Sequence, residues 1–566
     1  MKKILLLVLF FIILVSGQEK STQKLLHQIK IKSKNLLSDK IFLKNNFDFL
    51  GEENKLLVLI VSEKEIEQIK KLGYEIVFDE EGKPLKEINK FSKKNLVPSN
   101  YPSLETIIAK MEEAESNYSQ IAKLIDLTEK YGTPPTFEGR HMYAIKISKN
   151  VSENEDEPDI LIVSNHHARE IVTPLIALNA MDKFTKEYGK DQQITDLVDN
   201  YEIWIAPTWN PDGYNYCYNV DYNWRKNRHV FSNGIGVDIN RNYPQLWDSP
   251  NSGSTDPSSN TFKGKAPASE PETQTMIAFA NDQKFEKVLD YHSRGREVLA
   301  GYADPIHPFD NWLFNEAKKI SQNSGYGGAT RRPSADGEHY QWQLSKKGAF
   351  AFLIETHTSF QPNYESAMQE VNLVWPGIIY FMERAIPVTG RVLDSKLLSP
   401  IEAEIEILNI NFIAGEKLKS DKSFGRYNLF LPEGNYTVRF SAPDYISVEK
   451  NIYTSDLETT EFNIPMDRIS SVTEKLNIPK NFFLAQNYPN PFNPTTTIEY
   501  SVAKEGLVNI AVFNVLGQKV ADLVNEIKTV GNYKVNFNAT NLTTGAYYYK
   551  LTSGNYTITR KMQLIK

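Results

Sequence analysis

The hydrophobic pattern of this chain changes once, near Pro387. Before that point, between about residues 101 and 384, short apolar runs alternate with amphipathic stretches. The apolar runs cover residues 143–147, 160–163, 201–205 and 351–354, and the helical stretches include 174–188 and 270–281. This alternation predicts an α/β domain with a mixed, largely buried sheet and helices on both faces. After Pro387, short alternating strands with turn residues predict two all-β sandwich domains.

Chain length sets the expected number of domains. At roughly 150 residues per domain, 566 residues predict three or four folded domains. Hydrophobic residues make up 41% of the chain, which is typical of a globular protein and not of a disordered one. The expected segments are a signal peptide at 1–17, an N-terminal domain at 18–97, the α/β domain at 98–385, a β-sandwich at 386–467, a linker at 468–481 and a second β-sandwich at 482–566.

The N-terminal domain is expected to be a small strand-helix-strand unit. Residues 56–61 form an apolar run, 63–72 have helical periodicity, and 74–78 return to a strand pattern. Such a unit before a larger domain serves either as a pro-segment or as a packing module, and its composition fits both.

The first residues predict the compartment. Lys2 and Lys3 precede an unbroken apolar run at 4–15, and Ser16 and Gly17 follow it. Basic residues, a short apolar run and small residues are typical of a secretory signal peptide. The run is shorter than the roughly 20 residues that a membrane-spanning helix needs, and no comparable run follows. We therefore expect an exported chain with no transmembrane segment in its mature form.

Charge and cysteine content exclude two classes of protein. The chain has 64 Lys and Arg against 70 Asp and Glu, a formal net charge of −6, and no long basic block. A nucleic-acid partner is therefore not expected. Cys217 is the single cysteine, so it cannot form an intramolecular disulfide and the chain is not a disulfide scaffold.

Candidate metal ligands follow two of the apolar strands. His167 and Glu170 come directly after the run 160–163, and His292 ends another apolar run at 289–292. Carboxyl ends of neighbouring strands meet at one edge of an α/β sheet, so these side chains can converge there. Two histidines and a carboxylate with an open fourth position are the ligand set of a catalytic zinc site. Taken singly, each histidine is as well explained by a satisfied place in the core.

Further charged residues surround this expected site. Residues 224–228 contain two arginines, and an arginine suits either carboxylate binding or a developing oxyanion. Asp238 could orient a ligand histidine from behind. Glu355 ends the strand 351–354, where a buried carboxylate has little structural purpose. Burial would raise its pKa, which suits a general base.

Five segments in this order resemble the zinc metallocarboxypeptidases of the carboxypeptidase A and B family. They are His-Ala-Arg-Glu at 167–170, the arginine segment 225–228, Asp-Ile-Asn-Arg-Asn at 238–242, His-Ser at 292–293 and Glu355. The turn Asn-Pro-Asp-Gly at 210–213 matches the family as well. The likeness covers about residues 100–384.

This resemblance implies a function and a role for each matched residue. His167, Glu170 and His292 would bind one Zn²⁺ per catalytic domain, and Glu355 would activate the metal-bound water and then protonate the leaving amine. Four more residues would contact the substrate. Arg228 would hold the oxyanion, Asn240 and Arg241 would bind the free C-terminal carboxylate, and Arg169 would contact the substrate further out. The implied protein is a secreted zinc-dependent carboxypeptidase that hydrolyses the C-terminal bond of peptides or proteins.

The sequence departs from the family at a mobile tyrosine that covers the substrate. Alignment on Trp342 places Pro333 at the tyrosine position and Gln341 where an aspartate is usual. Tyr326 or Tyr340 are the candidates to replace it. The segment 336–340 also bears on the preferred departing residue: Asp336 or Glu338 would select Lys or Arg, while an aromatic or mixed preference is equally open.

Two β-rich modules follow the α/β domain. Residues 388–392, 424–427 and 431–438 resemble the transthyretin-like domain found after some carboxypeptidase domains, which supports or binds without chemistry of its own. Residues 483–496, 512–518 and 544–549 resemble the C-terminal sorting domain of type IX secretion systems. That resemblance implies the secretion machinery as a partner, and release or attachment at a bacterial cell surface.

Two other functions use the same residues. One is a catalytically impaired surface protein that binds peptides or glycans, and the other is a hydrolase of cell-wall peptides with the same metal site. Retention of all three ligands and Glu355 favours an enzyme, and Asn240 with Arg241 favours ordinary peptide C-termini.

Overall fold

The computed structural model describes residues 26–33, 35, 39, 42–43, 47–53, 56–78, 97–412, 414, 416, 418–455, 458–469 and 482–566. The expected signal peptide and most of the expected linker lie outside these residues. Within the described ranges, no helix is both long and apolar enough to cross a membrane. The chain forms two compact units: one contains residues up to Ala442 together with Ser447–Met466, and the other contains Pro443–Ile446 and Asp467–Lys566.

The N-terminal domain is an antiparallel sheet with one helix in its described part. Its strands are β1 (Leu26–Lys32), β2 (Asp48–Glu53), β3 (Leu56–Ser62) and β4 (Glu75–Phe78), in the order β2-β3-β1-β4, and α1 covers Glu63–Lys71. Ser62 begins α1 with a capping box, because its hydroxyl accepts from the Glu65 backbone while the Glu65 carboxylate accepts from the Ser62 backbone. The strand-helix-strand pattern read from the sequence is present, with β1 and β2 added to it.

The α/β domain is built on an eight-stranded mixed sheet in the order β13-β12-β14-β11-β7-β8-β6-β5. Its strands are β5 (Ala122–Asp126), β6 (Tyr143–Ile147), β7 (Asp159–Ser164), β8 (Glu202–Ala206), β11 (Lys287–Ser293), β12 (Glu297–Leu299), β13 (Thr330–Arg331) and β14 (Phe350–Thr356), and the hairpin β9 (Val230–Phe231) and β10 (Gly234–Ile235) lies apart. Strands β14, β11, β7 and β8 are parallel neighbours. Strand β7 is buried at every position, which is typical of parallel strands covered on both faces.

Besides a 3-10 helix at Ile239–Arg241 and a π-helix at Gln343–Lys347, the structure describes ten α-helices in this unit. After α1, they are α2 (Leu104–Asn117), α3 (Leu127–Tyr131), α4 (Thr173–Lys186), α5 (Gln192–Asn200), α6 (Pro211–Asn219), α7 (Pro271–Gln283), α8 (Asp310–Asn323), α9 (His339–Trp342) and α10 (Tyr364–Glu383). Met276 and Phe279 of α7 pack in one core with Trp204 and Val288 of the sheet. The expected α/β fold with a mixed sheet is confirmed.

The register of the parallel strands decides where the chemistry lies. On neighbouring strands β11 and β14, His292 is paired with Glu355. On β11 and β7, Tyr291 is paired with Ser164, the last residue before the loop that carries His167. The carboxyl ends of three strands therefore meet at one edge of the sheet, as a cleft in an α/β domain requires.

Two sheets form the β-rich region after the α/β domain. The strands are β15 (Val388–Asp394), β16 (Glu404–Ile407), β17 (Leu418–Lys419), β18 (Arg426–Leu429), β19 (Gly434–Ser441), β20 (Val448–Thr454), β21 (Thr460–Glu461) and β22 (Ile464–Met466). One sheet has the order β18-β15-β21, with β22 also paired to β15, and the other has the order β17-β16-β19-β20. Alternating burial along β15 and β19 places one face of each strand in a core, as the sequence predicted.

The second unit is also all-β. Its strands are β23 (Phe483–Leu484), β24 (Thr495–Val502), β25 (Gly506–Phe513), β26 (Lys519–Lys528), β27 (Gly531–Asn538), β28 (Gly545–Ser553) and β29 (Tyr556–Leu564), in sheets ordered β23-β24-β27 and β26-β25-β28-β29. The proline-rich segment 489–494 is held against these strands. The Asn487 backbone donates to the Tyr549 hydroxyl at 2.8 Å, and Phe492 is buried in the core.

Candidate metal centre and active site

The three candidate metal ligands come together at the carboxyl ends of β7 and β11. His167 Nδ1 lies 2.8 Å from Glu170 Oε1, and His292 Nδ1 lies 3.1 Å from both Glu170 Oε2 and His167 Nδ1. All three side chains are buried. Ligand distances of about 2.0–2.2 Å to a tetrahedral zinc place ligand atoms roughly 3.3 Å apart, so this donor set fits that ion. The three residues could hold a metal ion.

The loop after β7 has the shape that this arrangement needs. Asn165 has a φ of 62°, a left-handed conformation that asparagine tolerates better than most residues. Its side-chain amide donates to the His167 backbone carbonyl at 3.2 Å. The turn therefore brings His167 and Glu170 to the same side of the loop.

Asp238 lies behind His167, where the sequence analysis expected an orienting carboxylate. Its Oδ1 lies 3.1 Å from His167 Nε2, and its Oδ2 accepts from Arg225 Nη2 at 2.7 Å. Burial alone would raise the pKa of Asp238, but Arg225 and His167 hold it well below its ordinary value. The charged carboxylate fixes the ring of His167 with Nδ1 facing the other ligands.

Glu355 has the environment of a general base. Burial raises the pKa of its carboxyl to about 7; Glu170 adds to the rise, and Arg331 opposes it. Arg331 Nη2 lies 3.6 Å from Glu355 Oε1. Among the described residues, no group donates a hydrogen bond to the buried Oε2. One oxygen is thus available to take a proton near neutral pH.

The structure does not bring Arg228 into the cleft. Its guanidinium lies over the ring of Tyr216, 3.7 Å from the centroid, and its Nε donates to Glu138 at 3.2 Å. Arg225, three residues earlier, lines the cleft instead. The segment is a loop without helical periodicity, so spacing alone does not tell which arginine faces inward. The pairing with Asp238 is the feature that distinguishes Arg225.

Asn240 and Arg241 also line the cleft. Asn240 Oδ1 accepts from the His339 backbone at 2.9 Å, and Arg241 Nη1 donates to Glu338 Oε1 at 3.0 Å. Gly337 makes this approach possible: its φ is 79°, and a Cβ there would lie 2.8 Å from the Arg241 carbonyl oxygen. Of the two acidic candidates for the specificity pocket, Glu338 lines the cleft. Asp336 instead accepts from Ser249 and lies outside the lining residues.

The two candidate replacements for the family tyrosine are both buried elsewhere. The Tyr326 hydroxyl donates to Glu370 at 2.7 Å, and the Tyr340 hydroxyl donates to the Gly301 carbonyl at 3.2 Å. Neither residue is among those that line the cleft. The aromatic rings at the cleft belong to Phe47, Phe49 and Phe360.

The N-terminal domain contributes part of the cleft wall through 47–49. Asp48 accepts from Arg169 Nη2 at 2.8 and 2.7 Å and from Asn260 at 3.1 Å, and it lies 3.9 Å from Arg225 Nη1. Arg169 is fully buried under this contact and stacks on Phe360. Burial would raise the pKa of Asp48, but Arg169 and Arg225 lower it. Nothing in the composition of either segment predicted this contact.

Together these residues enclose a cavity of about 300 Å³. Its lining from the α/β domain includes His167, Glu170, Arg225, Asn240, Arg241, His292, Leu299, Arg331, Glu338, Leu353 and Glu355. Three candidate metal ligands, the partly buried carboxylate of Glu355 and the side chains of Asn240 and Arg241 therefore share one cavity.

Comparison with known proteins agrees with this geometry. Residues 107–376 match the family described as zinc carboxypeptidase. The chain is similar to mast cell carboxypeptidase A of Homo sapiens, with 30% identity over 283 residues that cover 47% of this chain and 65% of the human protein. It is also similar to metallocarboxypeptidase A of Trichophyton rubrum, with 29% identity over 229 residues, 39% of this chain and 52% of the fungal protein. The chain thus spans between about half and two thirds of the length of these relatives.

A solved structure shows the same fold. Carboxypeptidase A from Helicoverpa armigera superposes with a TM-score of 0.52 at 21% identity, covering 63% of this chain and 97% of that one. Residues 486–566 match a different family, described as secretion system C-terminal sorting domain. Residues 107–376 are therefore similar to zinc carboxypeptidases, and residues 486–566 are similar to secretion system C-terminal sorting domains.

Proposed function

We propose that this chain is a secreted zinc-dependent carboxypeptidase that hydrolyses the C-terminal peptide bond of peptides or proteins. The observation that carries the proposal is one cavity that holds both the metal-ligand group and the partly buried carboxylate of Glu355. Asn240 and Arg241 in the same cavity support cleavage at a chain end, because an arginine fork suits a free carboxylate.

Each residue has a distinct part in this reaction. A zinc ion held by His167, Glu170 and His292 would supply Lewis acidity to water and to the scissile carbonyl. Glu355 takes a proton from the attacking water and passes it to the leaving amine. Arg225 stabilises the oxyanion with its fixed charge, and Asp238 keeps that guanidinium in place.

Arg241 and Asn240 select the end of the substrate. In this structure Arg241 donates to Glu338, and the terminal carboxylate of a substrate takes that place. Glu338 beside this position supports a basic departing residue, while Leu299 and Leu353 in the same cavity support an aromatic or mixed one. Phe360 lines the cleft, where the preceding residues of the substrate would pass, and the buried Arg169 lies against Phe360 behind this lining.

The test is hydrolysis of blocked dipeptides that end in Phe, Leu, Lys or Arg, each compared with its C-terminal amide. The full chain should cleave the free acids, lose activity with a chelator and regain it with zinc. The best substrate identifies the departing residue. Zinc binding without any cleavage would contradict the proposal and favour a peptide- or glycan-binding protein, and cleavage confined to cell-wall peptides would favour the other hydrolase.

We further propose that residues 18–97 act as a pro-segment that restricts the cleft. The support is the position of Asp48: this acidic side chain of the N-terminal domain lies against the buried Arg169 and near Arg225 of the cleft. A long peptide needs this part of the cleft, whereas a blocked dipeptide needs little of it.

This restriction is tested by Asp48→Ala in the full chain. The ratio of kcat/KM for a ten-residue peptide to that for a blocked dipeptide should rise at least tenfold. Glu75→Ala is the matched control, because Glu75 pairs with Lys32 on the exposed face of the same domain. An unchanged ratio in Asp48→Ala would leave residues 18–97 as a packing module.

The β-rich modules support export and anchoring in this proposal. Residues 386–467 are a transthyretin-like domain without chemistry of its own, and residues 482–566 direct the chain to the type IX secretion machinery and the cell surface. No nucleic-acid partner is proposed. Deletion of 482–566 should retain active enzyme inside the producing cell, and normal export of the deleted chain would contradict this assignment.

A further inference from the structure

A second carboxylate, Asp290, lies behind the ligand His292. Asp290 is on β11 two residues before His292, so both side chains leave the same face of the strand. It is fully buried. Its Oδ1 lies 3.2 Å from His292 Nε2, on the opposite side of the ring from the nitrogen that faces Glu170.

Two more histidines surround this carboxylate. His339 Nδ1 is within 2.9 Å of Asp290 Oδ2, and His166 Nδ1 lies 3.1 Å from Oδ1. The ring of His166 stacks on His292 with 5.5 Å between centroids, and on His339 with 5.1 Å. All three imidazoles are buried, so one carboxylate sits among three rings and away from water.

The chemistry of imidazole gives this arrangement a purpose. A neutral histidine that binds a metal through one nitrogen carries a proton on the other, and that N–H needs an acceptor. The acceptor fixes both the tautomer and the direction of the ring. His167 has such an acceptor in Asp238, to which it is hydrogen-bonded. Asp290 Oδ1 lies 3.2 Å from His292 Nε2 and is buried with no hydrogen bond from the described residues, so it is the acceptor available to His292.

We propose that Asp290 is a positioning residue that holds His292 with its Nδ1 directed at the metal, and that His339 and His166 hold Asp290. This inference rests on the proposed function for its metal, and it concerns binding of that metal rather than peptide cleavage. The two histidine ligands are then each fixed by a separate buried carboxylate.

The same network reaches the substrate side of the cleft. The backbone of His339 donates to Asn240 Oδ1 at 2.9 Å. Movement of His339 therefore moves the residue proposed to bind the terminal carboxylate. A change at His339 should raise KM, whereas a change at Asp290 should act on the metal first.

The experiment measures zinc affinity of the full chain by competition with a chromophoric chelator. Asp290→Asn should weaken zinc binding about 10–100-fold, the usual cost of losing such an outer partner. It should also shift the visible absorption of the cobalt-substituted protein, since the direction of one ligand ring changes. Asp159→Asn is the matched control, because Asp159 is equally buried but lies at the opposite end of the sheet, bonded to Trp204.

His339→Gln is the second variant, in case Asp290→Asn fails to fold. It should weaken zinc binding less than Asp290→Asn and raise KM at saturating zinc. Zinc affinity and a cobalt spectrum unchanged within twofold in both variants would overturn the proposal. A second equivalent of zinc that disappears in Asp290→Asn would also overturn it, because Asp290 would then be a ligand. Failure of the chain to cleave peptides would remove the proposed function and leave this result intact.

Discussion

The central sheet buries charged side chains at both of its edges, at the carboxyl ends and at the amino ends of its parallel strands, but it does so in different ways. At the carboxyl edge, an acidic residue of the N-terminal domain, Asp48, lies against Arg169 in a cleft that still encloses a cavity. At the amino edge, an arginine of the β-sandwich, Arg426, lies among the carboxylates of Asp159 and Glu286.

The two charged clusters differ in whether they leave a side chain able to bind a metal ion or take a proton. At the amino edge Arg426 and Asn428 contact Glu286, and Arg391 contacts Asp156, so the charges are matched by the sandwich itself. At the carboxyl edge a buried oxygen of Glu355 accepts no hydrogen bond within the described ranges, and three ligand side chains converge. We infer that the first edge holds domains together and the second performs chemistry.

The largest expected effect of a substitution in the cleft is at Glu355. Glu355→Gln removes the proton acceptor while keeping the shape of the side chain, so kcat/KM should fall by about a thousandfold or more. Zinc affinity should stay within a fewfold of wild type, since Glu355 is not one of the three ligands. Retained activity in this variant would show that another group takes the proton.

The next largest effect separates the two arginines of one loop. Arg225→Met should lower kcat/KM by about 100–1,000-fold, the cost of losing one oxyanion donor. Arg228→Met should leave kcat/KM near the wild-type value, because Arg228 packs on Tyr216 outside the cleft. Steady-state kinetics on one dipeptide measures both, and a larger loss in Arg228→Met would reverse the assignment.

A change at the amino edge should affect stability and leave activity alone. Arg426→Met leaves Asp159 and Glu286 buried without their cation, so the free energy of unfolding should fall by about 3–5 kcal/mol. The pKa of Asp159, already raised well above its ordinary value by burial and by Glu286, should rise further. Arg439→Met is the control, because Arg439 makes only exposed pairs with Glu406 and Glu449 and its loss should not change denaturant unfolding. A drop in kcat/KM of folded Arg426→Met would contradict the claim that the amino edge affects only stability.

The smallest expected effect is a shift in the pH dependence of activity, which follows the pKa of Glu355. Arg331 lowers the pKa of this carboxyl and Glu297 raises it. Glu355 must be charged to accept a proton, so the acid limb of the pH–rate profile follows its pKa. Arg331→Met should move that limb to higher pH, and Glu297→Gln should move it to lower pH. Shifts in the same direction for both variants would mean that the limb reports another group.

The sequence predicted the fold better than it predicted the side chains in the loops. Buried parallel strands such as β7 are apolar throughout, so their positions, and the edge to which His167 and His292 belong, follow from the pattern. The choice between Arg225 and Arg228 depends on one long-range contact with Asp238, which local spacing does not encode.

Other features depended on tertiary contacts as well. The contact between Asp48 and Arg169 joins segments more than a hundred residues apart, and neither segment is unusual by itself. Asp290 stands inside an apolar strand, where a single carboxylate is a weak signal until three histidines are seen around it. Tyr326 and Tyr340 are candidates only because they lie near the expected position in the sequence. In the structure each is buried outside the cleft, where its hydroxyl donates a hydrogen bond to Glu370 or to the Gly301 carbonyl.

The most direct test of the account is a zinc titration of the metal-free full chain while release of the C-terminal residue from a blocked dipeptide is followed. We predict that activity rises to a plateau at one equivalent of zinc and that the amidated dipeptide is never cleaved. Glu355→Gln should bind the same equivalent of zinc and remain inactive. Cleavage by the metal-free chain, or cleavage of the amide as fast as the acid, would contradict it.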